Sequence, residues 1–437
     1  MAFAGLEGAA KNNSQSALNA NTVLSCVDVL SRRAVLAALA AGLLGCINNT
    51  RIDTDWHTAD ICNGVLARWL AVAPTASGFM RTAVDRQWQP KAEQPGYLTE
   101  HARLVYSMVI GFELTKDQRY LAAATRGADF MLERYRDPIN GGFFLRVAQD
   151  GTVNSGAKNT YAHAFALLAL SHVARVTGQA RYRDAALIAW SDIDLGLRHP
   201  LGGFWGELPR NFSQQAVNDG AANSQNPMMH LFEALLALHD ATRDPAALKG
   251  AKSVGDFVIY RLLAGISDGG AYVPEWYDNG WKALPTREKG GYVDLGHQFE
   301  WCHLLMAAQQ RGMSDIYLQS AQRLLKFAVE KGYDEAEGGI FTKMYPDGTV
   351  EKDKYWWQQN EGLRVFMAVA AATGRKDMWR RYEQTVDLVR AQFIDSVNGG
   401  WYPRARKQCG GCPDDQPDPY HMTGMHSAAL ALATRGK

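Results

Sequence analysis

At six places in this 437-residue sequence, the start of an apolar run with helical spacing is occupied by His, Arg, Tyr, Trp or a carboxylate. The segments read His101-Ala102-Arg103, then Lys158-Asn159-Thr160-Tyr161-Ala162-His163, then Asn226-Pro227-Met228-Met229-His230-Leu231-Phe232-Glu233. They continue as Asp294-Leu295-Gly296-His297-Gln298-Phe299-Glu300-Trp301, Lys354-Tyr355-Trp356-Trp357-Gln358-Gln359-Asn360-Glu361, and Tyr420-His421 through Met425-His426. Arg103, His230 and Glu361 each stand 12 residues before a Thr that marks a short turn. Any one of these residues alone has a plain explanation. A lone histidine caps a helix or sits satisfied in a core, Trp356-Trp357 fills a core, and Glu233 or Glu300 is a first-turn acid favoured by the helix dipole. Repetition at one structural level marks a site.

The chemistry follows from the residue types. Imidazoles with pKa values near neutrality can move a proton on and off a carbon beside a carbonyl. A guanidinium can stabilise the oxyanion that results. Indole faces suit the C–H faces of a sugar, and carboxylates and amides suit its hydroxyls. This toolkit fits aldose–ketose isomerisation, or epimerisation at C2, through a cis-enediol(ate). Neither reaction calls for a metal or a redox cofactor, and none is expected here. No activated Ser or Cys, phosphate-cradling glycine loop or nucleotide fingerprint accompanies the set.

A repeat must position these segments. Glycine followed by an apolar or small residue recurs at Gly78, Gly142, Gly203, Gly270, Gly339 and Gly400, in steps of 64, 61, 67, 69 and 61 residues. Short turns such as Thr177-Gly178 and Thr373-Gly374 alternate with these loops. Each unit therefore reads as helix, short turn, helix and long glycine loop, with hairpin signals at Asp150-Gly151 and Asp347-Gly348. A two-helix unit cannot bury its apolar faces alone. Units of this length fit an all-α, closed (α/α)6 toroid of six helix hairpins with short β-hairpins on one rim. Residues 51–437 are expected to form a single domain of this kind, with the polar helix starts converging on one end of its axis.

Composition narrows the partners. Forty-six basic and 45 acidic residues leave a net charge of +1, which gives no global field for nucleic acid. No run is apolar enough to span a membrane. Residues 1–50 read as a leader. Arg32-Arg33 precedes a short apolar stretch, the layout of a twin-arginine export signal, and Leu43-Leu44-Gly45-Cys46 has the form of a lipoprotein box. Export, to the periplasm or to a membrane through a lipidated Cys46, is the expectation; a cytoplasmic location follows if the leader is not a signal. Cys409-Gly410-Gly411-Cys412 suits a local disulfide in an exported protein, and a zinc site on Cys409, Cys412 and His421 lacks a fourth ligand. A monomer or homodimer is expected.

Taken together, the segments around His230, His297 and Glu361, with Tyr161-Ala162-His163-Ala164-Phe165 and Arg103, resemble the N-acylglucosamine 2-epimerase superfamily over about residues 55–435. That resemblance implies an (α/α)6 barrel acting on a small sugar, with His297 and the histidine opening the last helix as the acid/base pair. It implies that Arg103 stabilises the enediolate and that Tyr161 and His230 bind substrate. Trp356 and Trp357 would form the sugar platform, and Glu300 and Glu361 would orient histidines or hydroxyls. His163, Asn226, Glu233 and Trp301 join the expected substrate-binding set. Two departures stand out: Asp294 replaces a histidine of the usual His-Pro-Gly-His, and neither His421 nor His426 is followed three residues later by arginine, Gly424 and Ala429 standing there instead. The Pro419-Tyr420-His421 motif favours His421, and closeness to the expected helix start favours His426. A glycoside or unsaturated-glycuronyl hydrolase would need a spaced carboxyl pair and leaves the histidines unexplained. A non-catalytic sugar-binding protein would have no need of them.

Overall fold

The computed structural model describes residues 51–214, 223–409 and 413–435. Helix α1 covers 54–72 and passes through a π-helical stretch, Ala59–Leu66. It is followed by α2 (Leu98–Thr115), α3 (118–135), α4 (Thr160–Thr177), α5 (Ala180–Gly196), α6 (Asn226–Thr242) and α7 (245–262). The series ends with α8 (Leu295–Gln310), α9 (Ile316–Gly332), α10 (Trp356–Thr373), α11 (Lys376–Gln392) and α12 (Tyr420–Arg435).

Local chemistry sets the helix ends. Asp117, Asn159, Asp244 and Asp294 accept backbone N–H groups at the starts of α3, α4, α7 and α8. The short turns after α4 and α10 place Gly178 and Gly374 in the left-handed region. Lys116 and Arg243 take the same conformation after α2 and α6, at φ 62° and 58°.

The even-numbered helices pack side by side in the cyclic order α2, α4, α6, α8, α10, α12 and back to α2. Each is backed by an odd-numbered helix: α3, α5, α7, α9 and α11 lie against the inner helix that precedes them. The ring is therefore the closed (α/α)6 toroid expected from the repeat. Its sixth hairpin is made from the two ends of the described chain, because α1 backs α12. The inner helices are apolar nearly all round, as a layer covered on both sides must be: Ala162 through Leu170 on α4 are buried without a break.

The long loops repeat one device. Asp137, Asp334 and Asp395 each accept backbone N–H groups of their own glycine turn and hold a buried cation. Lys158 Nζ lies 3.0 Å from Asp137, Lys354 Nζ 2.8 Å from Asp334, and Arg86 Nη2 2.6 Å from Asp395. Both lysines also donate to a glycine carbonyl of the same turn. Buried charges persist only when paired in this way. The hairpin signals are realised, Arg146–Val147 pairing with Val153–Ser155 and Lys343–Met344 with Val350–Glu351.

Further strand pairs lace each loop to the next. Lys158–Asn159 pairs with Glu207–Leu208, Asn223–Ser224 with Trp276–Tyr277, and Val293–Asp294 with Lys343–Met344. The segments leading into α4, α6 and α8 are thus fixed on one rim. Among the described residues no helix is long and apolar enough to cross a membrane. The leader and Cys46 lie outside the described residues, as does Cys412. Cys409 is disulfide-bonded, so its sulfur is not a thiolate for zinc.

Candidate active site

The N-terminal turns of the inner helices carry a continuous polar cluster. His297, the third residue of α8, lies with Nδ1 2.8 Å from Glu275 Oε2. Glu275 comes from the loop between α7 and α8, next to the strand Trp276–Tyr277 that pairs with Asn223–Ser224. That pairing brings Ser224 Oγ and Gln225 Nε2 onto the Glu275 carboxylate, at 3.1 and 2.8 Å. Asp294 caps the backbone N–H groups of Gly296 and His297. Burial disfavours the imidazolium, but the carboxylates of Glu275 and Asp294 outweigh it and push the His297 pKa up to about 10.

His421 is the second residue of α12, and its Nδ1 lies 2.9 Å from Glu361 Oε1 on α10. Here burial prevails over the carboxylate, with Arg103 adding to it, and the His421 pKa falls below the usual histidine value. Two imidazoles in one site are thus set apart, one charged and one neutral at pH 7. The indole of Trp357 touches both, with ring centroids 4.9 Å from His297 and 5.4 Å from His421. Trp356 meets His421 edge-on at 5.5 Å.

Arg103, six residues into α2, donates to the Tyr161 hydroxyl at 2.6 Å and to Asp418 at 3.1 Å. Its guanidinium lies over the rings of Phe165 and Tyr420. Burial raises the Tyr161 phenol to about 12, although Arg103 pulls the other way. His230 stacks edge-on against Tyr161, 5.1 Å away, and its Nδ1 lies 3.3 Å from Glu233 Oε2. Burial lowers its pKa to about 4. Glu233 also accepts from the Tyr420 hydroxyl.

Two buried carboxyls complete the cluster. Burial and the neighbouring Glu361 push Glu300 well above the usual carboxylate range, so it is held as the acid. Burial acts on Glu361 in the same direction, but Arg364 and His421 bring it down to about 2. Glu300 Oε2 is buried without a hydrogen-bond partner. Donor atoms of Glu300, Glu361 and His421 lie within 4.8 Å of one another, as do those of His230, Glu233 and Glu300. Either set has the donor types to hold a divalent cation. However, Glu361 already carries the Arg364 guanidinium and Glu233 the Tyr420 hydroxyl.

Three residues expected in the site are placed elsewhere. His163 has both ring nitrogens occupied by backbone, Nε2 accepting from Phe143 N–H at 2.9 Å and Nδ1 donating to Asn159 O at 2.7 Å. It anchors the glycine loop, as His101, Gln298 and Gln359 do at the same depth of α2, α8 and α10. Trp301 is fully buried against Phe232, and its indole N–H donates to Gln225. It is therefore a prop for the residue beside Glu275 and offers no sugar platform. His426 points outward from α12 into a buried pair with His57 of α1, Nδ1 to Nδ1 2.8 Å. Because α12 begins at Tyr420, His421 is the residue at the helix start and in the cluster. Asn226 opens α6 beside Gln225, and its Oδ1 is buried without a hydrogen-bond partner.

The sequence reading did not single out Glu275, Gln225, Asp418 or Arg364. The first two are placed by strand pairing between loops, which leaves no periodic trace. Arg364 could have been found, since it follows Glu361 at i+3 on one helix face.

The N-acylglucosamine 2-epimerase (GlcNAc 2-epimerase) family matches residues 78–424. A D-mannose isomerase of Marinomonas mediterranea is 26% identical over 344 residues, covering 76% of this chain and 84% of its own. A D-mannose isomerase of Thermobifida fusca is 28% identical over 345 residues, covering 72% and 82%. A crystal structure of a D-mannose isomerase superposes with a TM-score of 0.77 at 22% identity, over 86% of this chain and 97% of that one. The fold, the polar ring of helix starts and the extent of the match agree: the chain belongs to the N-acylglucosamine 2-epimerase family and is an isomerase.

Proposed function

We propose that this enzyme interconverts an aldose with its C2 epimer or with its ketose by histidine-mediated proton transfer through a cis-enediolate. The observation that carries the reading is the Trp357 indole in contact with two imidazoles, one held charged by its carboxylates and one held neutral by burial. In the open-chain aldose, neutral His421 removes the proton from C2. The C–H electron pair becomes the C1–C2 double bond, and the carbonyl π pair moves onto O1. Arg103 stabilises that oxyanion. Charged His297 supplies a proton from the other side of the enediolate. Delivery to the opposite face of C2, with the O1 electron pair re-forming the C1 carbonyl, gives the epimer; delivery to C1, with the C2 carbonyl forming and the O2 proton passing to O1, gives the ketose. Trp356 and Trp357 offer the apolar platform, and the protonated Glu300 offers a donor to a sugar hydroxyl.

The names of the relatives make D-mannose the first substrate to try. Product analysis after incubation with mannose, glucose, N-acetylmannosamine and cellobiose tests the reading. Appearance of fructose or of a C2 epimer supports it, and an unchanged pool of all four sugars contradicts it. The Arg32-Arg33 pair and the apolar stretch before Cys46 support export of the enzyme. Fractionation of the native cell tests that, with activity in the soluble cytoplasm the contrary result.

A further inference from the structure

Beneath the site, Arg364 of α10 occupies space that α12 leaves open. Its Nη1 donates to both oxygens of Glu361, at 3.2 and 3.0 Å, and its Nη2 reaches His303 Nε2 at 2.9 Å. Glu361 in turn holds His421, so Arg364, Glu361 and His421 form one line of polar contacts. The approach depends on Gly424, one helical turn beyond His421. A Cβ there would stand 3.3 Å from both Cζ and Nη1 of Arg364, closer than side chains ordinarily pack. Arg364 also lines a cavity of about 490 Å³ towards the other end of the inner helices, together with Tyr106, His172, Glu233, His303 and Arg311. Arg364 therefore lies between that cavity and the candidate active site.

We propose that Arg364 is a positioning residue for the reaction, fixing through Glu361 the orientation and proton affinity of His421, and that Gly424 is the opening that admits it. The inference rests on His421 being the base. Its physical basis is the pair of carboxyls Glu300 and Glu361, whose donor atoms lie close together in a buried site. Two such groups do not both ionise without a cation beside one of them. Arg364 touches Glu361, so the negative charge resides there, on the His421 side, and the proton resides on Glu300. The other charged or titratable groups facing His421 are Arg103 from α2, His230 from α6, Asp418 beside its own helix and Tyr420, whose ring lies 4.7 Å away.

With Arg364 removed, nothing holds the negative charge on Glu361 in preference to Glu300, and His421 loses its charged acceptor. The imidazolium is then disfavoured, and the low-pH limb of the kcat profile moves downward. In Arg364→Met, kcat should fall by roughly 10- to 100-fold with KM little changed, because Glu361 orients the base and contributes little to ground-state binding. Arg364→Lys should recover part of the loss. Gly424→Ala, a small change on a helix that is otherwise intact, should shift kcat and the low-pH limb in the same direction by a smaller amount. All are measured on the full-length chain with circular dichroism as the control for folding. If Arg364→Met does not fold, Gly424→Ala decides alone. An unmoved pH limb, or a loss confined to KM, overturns the proposal. His421→Ala measured alongside separates the two ideas: activity that survives it overturns the base assignment and this inference together, whereas its loss beside an unaffected Arg364→Met overturns this inference alone.

Discussion

Nδ1 of His297 stands 2.8 Å from Oε2 of Glu275, a carboxylate delivered by a loop and not by a ring helix. The contact couples the charge of the candidate acid to the pairing of two short strands on the rim. Replacing Glu275 with Gln removes the main attraction holding the proton on His297. The high-pH limb of activity, set by a group near 10, should then move down towards neutrality, and kcat should fall by roughly 10²- to 10⁴-fold. Initial rates measured from pH 5 to 11 check both effects. A Glu275→Gln profile with its high-pH limb in place would show that His297 is not the acid.

Glu300 gives the opposite expectation. It is held protonated by burial and by Glu361, so an amide mimics it. Glu300→Gln should keep kcat close to wild type, whereas Glu300→Ala, which loses the donor, should cost about tenfold. Equal losses in the two variants would mean that Glu300 works as a carboxylate.

His163 and His426 should behave as structural residues. His163→Ala leaves the Phe143 N–H buried without its acceptor, which costs about 1–3 kcal/mol of stability. His426→Ala empties a buried site against His57 where the two ends of the ring meet. Urea denaturation should show both losses while kcat stays within the range of wild type. A collapse of kcat in a stably folded His163→Ala or His426→Ala would return that residue to the site.

Acid should loosen the fold before most carboxylates titrate. Burial lowers His57 to about 2, His303 to about 3, and His101, His163, His172 and His230 to about 4. Below pH 6.5 the unfolded chain binds protons on these rings and the native state does not. Stability therefore falls as pH drops from about 6.5 towards 4, by up to about 1.4 kcal/mol per pH unit for each ring. His297 acts in the other direction, since its raised pKa contributes stability below pH 6.5 that is lost as pH rises through about 10. Urea midpoints at pH 7.5, 6, 5 and 4.5 test the acid side; a flat profile would contradict burial of these rings as neutral groups.

Much of the molecule was legible because the toroid is a repeat. The shared register of Arg103, His230 and Glu361 before their turns is the sequence trace of one layer in the ring, and the structure gathers all three. Direction around a helix was not legible. Tyr161 and His163 are two residues apart, about 200° around the axis, so one faces Arg103 and the other faces the glycine loop. His421 and His426, five residues apart, diverge for the same reason. Glu275 was invisible because strand pairing between consecutive loops places it. The sixth hairpin, α1 with α12, joins the ends of the described chain and has no local signature. The Gly424 departure is filled from another helix, by Arg364.

The central claim is that His421 and His297 move a proton at C2 of a sugar. NMR of mannose incubated with the enzyme in D2O tests it most directly. The account predicts deuterium entering the C2 position of the aldose or C1 of the ketose, at rates that collapse in both His421→Ala and His297→Ala. Product formed with its original hydrogen fully retained, or exchange that survives both substitutions, would contradict it.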